Sequence, residues 1–240
     1  MSRDGQMRPA RRSVVAGIGA SALGLWPIAS RAASGAAPDE SRGGAAGALR
    51  AGSAPAILYE EEPAAPRGKQ FAGDVRWRLE TRPAASNGPP EITVTAGVAI
   101  PERQLTLNAT FRRNDDISLP ASHTIDLIFT LPSGFVHGGI EDIRGLLMKE
   151  NEMRVGVALA GSTVKVTTLY FLVGLSATET DRKANMLLLR DRAWFDVPIV
   201  YADKRRAILA FSKGPAGESV FAQAFAAWDA KRAPPSSDSR

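Results

Sequence analysis

Apolar and polar residues alternate with a period of two through most of the middle of this chain. Val75, Trp77 and Leu79 interleave with Arg76, Arg78 and Glu80, which places one set on a buried sheet face and the other in water. The same alternation carries Ile92, Val94, Ala96, Val98 and Ile100, then Leu105, Leu107, Ala109 and Phe111, then Ile125, Leu127, Phe129 and Leu131. Breaks between these runs are dense in turn formers: Asn87 to Pro90, Pro101, Asn114 to Asp116, Pro120 and Pro132. Val164 to Leu175 is nearly uncharged and rich in β-branched and aromatic residues, so it reads as a central strand buried on both faces. Val197 to Tyr201 and Arg206 to Phe211 read as a hairpin turning near Asp203 and Lys204.

Two stretches switch to helical spacing. Ser176 to Glu179 has the form of a capping box, opening a helix to about Arg192 with Ala184, Leu187, Leu188 and Asp191 on one face. Val220, Phe221, Ala224, Phe225 and Trp228 form a narrow apolar stripe after Gly217 that ends before Pro234 and Pro235. The expectation is a mainly β, β-sandwich-like single domain over residues 56–232 with two short helices. Residues 33–55, dominated by Ala, Gly, Ser and Pro, read as a disordered linker, and 233–240 as a disordered tail.

The N-terminus changes the picture most. Met7 to Arg12 is basic and is followed from Ser13 by an uncharged, mainly apolar run of about 13 residues, the length of a signal-peptide core. A membrane span needs about 20. Pro27 ends the run, and Ser30 and Ala32 set small residues at the positions a signal peptidase reads, so residues 1–32 are an expected export signal cut after Ala32. Arg11 and Arg12 resemble the twin-arginine signal, which exports folded proteins; the alternative is a general secretory signal with an arginine-rich start. The expected location is periplasmic or secreted, with no membrane span in the mature form.

Charge follows from that cut. The chain carries +5, from 30 basic and 25 acidic residues. Arg3, Arg8, Arg11, Arg12 and Arg31 against Asp4 leave with the signal, so the mature body is close to neutral. Such a body lacks the field that drives phosphate-backbone binding, and nucleic acid is not an expected partner. There is no cysteine, which excludes disulfides, thiolate metal sites, iron–sulfur clusters, a cysteine nucleophile and a lipidated N-terminus.

Candidate chemistry is sparse. His123 shares the parity of Ile125 and Leu127 and reads as an inward, structural histidine. His137 lies in the loop Pro132 to Gly139, where it is expected to be exposed, with Phe135 beside it; Phe135 and His137 are the candidate binding residues. Two histidines without metal-ligand spacing make no expected metal site. The nucleophile elbow and both glycine-rich phosphate loops are missing, so neither a catalytic residue nor a cofactor is expected. Glu60, Glu61 and Glu62 read as a solvated loop. Glu141 and Asp142, a conceivable acid/base pair, sit at adjacent strand positions that face opposite ways. Arg76, Arg78, Arg103, Arg112 and Arg113 read as a solvated sheet face; the alternative is a patch that engages acidic envelope lipids or polysaccharide.

The strand Asp74 to Glu80 with its Trp77, the run Asp126 to Pro132 before a glycine loop, the helix Asn185 to Arg192, and the closing hairpin and Phe221 to Trp228 helix together resemble the invasion-associated locus B family of exported bacterial proteins. The segments Pro120 to Ile125 and Trp194 to Tyr201 are also similar to uncharacterised exported proteins near that family. The resemblance implies a periplasmic β-sandwich with an accessory or interaction role and no catalytic residue. The expected function is therefore an exported, non-enzymatic binding or accessory protein of the cell envelope, with an envelope protein or glycan as partner. The alternatives are a hydrolase with its site around His137 and a structural component tethered by an uncleaved signal. Replacing Arg11 and Arg12 with lysine is expected to block export and leave full-length protein in the cytoplasm. Normal export of that variant, followed by fractionation and intact-mass measurement, would rule out the twin-arginine route.

Overall fold

The computed structural model describes residues 52–82 and 90–230. The export signal with Arg11, Arg12 and Ala32, most of the expected linker and the C-terminal tail lie outside the described residues.

Twelve strands form one antiparallel sheet, and the expected sandwich of two sheets is replaced by a single curled sheet, an open half-barrel. In chain order the strands are β1 (Ala54–Glu62), β2 (Ala65–Arg82), β3 (Glu91–Ile100), β4 (Leu105–Arg113), β5 (Ala121–Thr130), β6 (Ile140–Ile143), β7 (Leu147–Lys149), β8 (Val157–Ala158), β9 (Gly161–Lys165), β10 (Tyr170–Ser176), β11 (Trp194–Tyr201) and β12 (Arg206–Ser212). Their spatial order runs β8-β7-β11-β12-β1-β2-β3-β4-β5-β10-β9, with β6 beside β11. Two helices, α1 (Glu179–Asp191) and α2 (Gly214–Ala230), complete the fold.

The curl is a consequence of chain connectivity. β8 and β9 stand at opposite ends of the sheet, yet only Leu159 and Ala160 separate them. Three Cα steps reach about 11 Å at most, so the sheet must bend until its two ends meet. No ladder joins them. Side chains hold the seam instead: Asn185 of α1 accepts from Ala160 N (2.8 Å) and donates to Ala160 O (2.8 Å). Lys165 of β9 donates to the carbonyls of Ile140 and Glu141 of β6, both at 3.0 Å.

β2 is the strand that turns the sheet. Its first half pairs with β1 and its second with β3, and Gly73 lies at the handover. A Cβ there would lie 2.1 Å from the carbonyl oxygen of Ala99, so only glycine fits. β1 itself begins at Ala54, inside the expected linker, and Glu60 to Glu62 are its last residues and not a solvated loop. Ala56 and Leu58 are buried, but their run is too short and its small residues too weakly apolar to mark a strand from sequence.

The alternating sets on β2 to β5 are the inner face, as their period requires. Val164 to Leu175 is not one buried strand. It is the hairpin β9–β10, in which Phe171, Val173 and Leu175 are buried and Val164 is 56% exposed. β-branched composition favours a strand wherever it lies; it cannot say whether that strand is central or terminal.

α1 is capped by Thr178, beyond the Ser176 that the capping box implies. Thr178 accepts from Asp181 N, while Ser176 donates to the Asp181 carboxylate at 2.7 Å. Its buried face carries Asn185 and Leu189, while Leu187 is 60% exposed, so the expected face is corrected. Satisfying the backbone of Ala160 outranked burial of a leucine. Lys213, itself buried, donates to the carbonyl of Leu189 and so closes the C-terminal end of α1.

α2 starts at Gly214, three residues earlier than expected, and lies against the concave face of the sheet. Phe221, Ala224, Phe225 and Trp228 are buried, as their spacing requires. Trp77 of β2 is the centre of the core: its ring meets Phe111, Phe195, Phe211 and Phe221 at centroid distances of 5.4–6.1 Å. Its indole N–H donates to Ser212 O at 2.9 Å. A Cβ on Gly217 would stand 2.9 Å from that ring, so this glycine sets how close α2 comes. Trp228, 6% exposed, donates its own N–H to Ile92 O at 2.9 Å and ties the end of α2 to β3. Trp228→Ala is expected to cost about 3–5 kcal/mol in urea unfolding, a large-to-small core change with a lost hydrogen bond. A loss under about 0.5 kcal/mol, the scale of surface sites, would show that α2 does not pack there.

Candidate functional site

The loop between β5 and β6 is built by two tight turns. Phe135 N donates to Pro132 O (3.2 Å) and Gly138 N to Phe135 O (2.8 Å). Gly138 and Gly139 both take positive φ, 74° and 125°, which turns the chain back toward the β11–β12 hairpin. There Ala202 N donates to Gly139 O at 3.0 Å. That hairpin turns at Asp203 and Lys204, where Lys204 has φ 70°.

Docking the loop on the hairpin buries His137, which is 4% exposed; the expectation of an exposed histidine is corrected. Its Nδ1 lies 2.8 Å from Asp203, and its Nε2 lies 3.2 Å from Arg103 and 3.4 Å from Glu60. A guanidinium only donates and a carboxylate only accepts, so Nε2 faces one partner of each kind while Nδ1 faces the Asp203 carboxylate. Both ring nitrogens of His137 are thereby engaged.

Glu60, also 4% exposed, is the anion at the centre. One carboxylate oxygen accepts from the Tyr201 hydroxyl at 2.8 Å, and the other is ion-paired to Arg103. Tyr201 stacks on the His137 ring at 4.5 Å and 12°, and Phe135 meets both rings edge-on. The Arg103 guanidinium lies 4.4 Å above the Phe71 ring. Burial, with the charge and hydrogen bond of Glu60, pushes the Tyr201 hydroxyl well up, so it remains a neutral donor. Partial desolvation works to raise Asp203, but the His137 and Arg205 N–H hydrogen bonds outweigh it and hold its carboxyl below the usual range. Removing one partner of a buried pair of this kind costs about 3–5 kcal/mol, mostly the penalty on the charge left behind.

Above this cluster opens a cleft of about 100 Å³ between Lys69, Arg205, Glu62 and Val136. At about 30 Å³ per water it holds a few solvent molecules. Phe135 is half-buried against the core, and the residue that projects from the loop is Val136, 65% exposed. Sequence reasoning missed Glu60, Tyr201 and Asp203 and misplaced Arg103. The one available signal was parity, which sets Glu60 on the same side of β1 as Ala56 and Leu58. Among the described residues no group of three His, Asp or Glu side chains is placed to hold a metal ion. Glu141 and Asp142 are both exposed, on opposite sides of β6, and form no pair.

A larger cleft of about 370 Å³ lies between the end of α1 and α2, with Arg190, Phe221 and Phe225 in its walls and Lys213 at its base. Burial brings the Lys213 amine down to about 8, but its hydrogen bonds to the Leu189 and Arg190 carbonyls commit it to the helix end.

No family model, no curated protein and no solved structure matches this chain. The resemblance to the invasion-associated locus B family thus rests on the order of its elements alone. Among the described residues no helix is long and apolar enough to cross a membrane.

His123 points inward, as its parity requires, with its ring 5.1 Å from that of Trp228. Burial, followed by the charges of Arg113 and Arg182, lowers it to about 4, against the upward pull of Asp229 and Asp115. The unfolded chain takes up a proton near pH 6.5 that the folded chain refuses until about pH 4. Stability therefore falls as pH drops through that window, by on the order of 3 kcal/mol. His123→Phe keeps a ring against Trp228 without the proton. Its urea midpoint is expected to fall much less between pH 7 and about pH 4.5 than that of the wild type. Parallel loss in both proteins would show that His123 titrates normally.

Proposed function

We propose that this protein is an exported, non-enzymatic binding protein of the bacterial envelope, and that a protein partner docks at the seam of the half-barrel. The observation that carries this is the distribution of exposed apolar side chains. Of nine exposed large hydrophobic residues among those described, six are Ile128, Met153, Val155, Val157, Val164 and Val166. The last four flank the Leu159–Ala160 link, on or beside the two terminal strands. Ile128 pairs with Tyr170, and Val166 N donates to Tyr170 O, so these three stand in one row on the outer face. Apolar side chains gathered beside two strand edges are the feature that partner-binding surfaces share.

The signal-like N-terminus supports the envelope address, and the resemblance to an exported accessory family points the same way. A hydrolase centred on His137 draws no support from the site, because both ring nitrogens are bonded and neither is bonded to a hydroxyl. The loop that carries Phe135 and His137 then acts as a plug that holds the β11–β12 hairpin, and Val136 is its exposed large apolar side chain.

The triple variant Val157→Ser, Val164→Ser and Val166→Ser tests the reading. Each position is exposed, so each change is expected to alter stability by no more than about 0.5 kcal/mol. Capture of partners from an envelope extract by the triple variant should drop at least tenfold relative to wild type, while Val136→Ser captures normally. Undiminished capture by a folded triple variant would remove the seam from consideration, and loss in Val136→Ser alone would move the contact to the loop.

A further inference from the structure

The outer face of β2, β3 and β4 holds polar groups that the fold leaves without partners. Thr93 and Thr95 on β3 are 0% and 6% exposed, and neither hydroxyl has a hydrogen-bond partner. A buried hydroxyl without a partner costs about 1–3 kcal/mol, so such groups are rare without a reason. Two of them, two residues apart on one face of one strand, form a pair about 7 Å apart.

Register places cations on both sides of that pair. Arg78 of β2 is directly opposite Thr95, and Arg112 of β4 is directly opposite Thr93. Cross-strand neighbours of this kind have Cβ atoms about 5 Å apart. Arg78 is exposed and makes no hydrogen bond or ion pair among the described residues. Arg112 bonds Thr124 through Nε (3.1 Å) and is ion-paired to Asp126 through one terminal nitrogen, which leaves Nη1 uncommitted. Neither nearby acid serves Arg78: Asp126 is taken by Arg112 and by the Tyr170 hydroxyl at 2.7 Å, and Glu80, directly opposite Thr93 on β2, is bonded to Arg82 at 3.3 Å. Two residues along on the same face, Gly97 lies between Arg76 and Asn108, and a Cβ there would meet nothing within 4 Å. The face therefore has an open depression next to the row of donors.

Apart from the second carboxylate oxygen of Glu80, every group left over is a donor or a hydroxyl that can donate. We propose that Arg78, Thr95 and Thr93, with the free edge of Arg112, form a binding site for the oxyanion of an envelope ligand. A guanidinium supplies two parallel N–H groups and the hydroxyls supply the third and fourth contacts, the set that a carboxylate or phosphate accepts. Arg103 and Arg113 are not part of the site. Arg103 is turned into the Glu60 cluster, and Arg113 donates to Trp228 O on the inner side. This site is separate from the seam, so either can fail without the other.

The experiment uses the full chain and two probes that present the same chemistry from different sources. One is polygalacturonate, which carries carboxylates on a glycan; the other is phosphatidylglycerol vesicles, which carry phosphates, with phosphatidylcholine vesicles as the neutral reference. Binding to one or both probes is expected, and which one identifies the source. Arg78→Gln and Thr95→Val are each expected to weaken it about tenfold or more, the scale of a hydrogen bond to a charged group. Arg67→Gln, which removes an exposed charge elsewhere on β2, should leave binding unchanged. Thr95→Val should also hold or raise the urea midpoint, since it replaces a buried unpaired hydroxyl with a methyl. Binding to neither probe, or equal weakening by Arg67→Gln, would overturn the site.

Discussion

A twelve-stranded antiparallel sheet whose two end strands are joined by only two residues cannot lie flat, and the rest of this structure follows from that constraint. The link Leu159–Ala160 forces the sheet into a half-barrel, and the curvature creates the concave face that α2 fills. Because no ladder closes the seam, its backbone groups need other partners. Leu159 N donates to Leu146 O, Ser176 N donates to Ala160 O, and Asn185 bonds both polar groups of Ala160. An asparagine on α1 thus fixes the link between the two ends of the sheet, and α1 in turn is closed by Lys213 at the entrance to α2. The half-barrel, both helices and the seam form one mechanically linked set.

The concavity is filled by two kinds of chemistry. Along its length the core is aromatic and apolar, around Trp77 and the four phenylalanine rings that meet it. Where the loop 132–139 meets the β11–β12 hairpin, the plug is a buried polar network of Glu60, Arg103, His137, Tyr201 and Asp203, in which Arg103 Nε alone lacks a partner. Such a network is destabilising when half-satisfied and specific when complete. Here every polar atom of the histidine and of the central carboxylate has a partner. That arrangement fixes the loop against the hairpin and leaves no free base or nucleophile in it. A second buried pair, Lys149 and Asp196 at 2.7 Å, performs the same positioning on the convex side, where burial raises the Asp196 carboxyl in spite of its lysine.

Activity on this scaffold is thus sought on its outside. The seam gathers apolar side chains beside two strand edges, and the β2–β4 face gathers donors without acceptors. The first suits a protein surface and the second an oxyanion.

Period-two alternation determined the strands β2 to β5, and residue order likewise determined the β11–β12 hairpin and the stripe of α2, because burial on one face of a strand or helix is written directly into it. The absence of cysteine likewise settled from composition alone that no disulfide supports the fold. What the sequence did not carry was which strands would be neighbours. The sandwich expectation assumed two sheets, whereas the curl comes from a two-residue connection between strands at opposite ends of one sheet, a fact about pairing and not about local pattern. For the same reason Val164 read as core and stands in solvent, and Leu187 read as the buried face of α1 while Asn185 took that place. Glu60 and His137 show the limit most clearly. Each looked solvated among its own neighbours in sequence, and each is buried, because the residues that satisfy them lie 34 to 141 positions away and only the folded sheet brings those charges together.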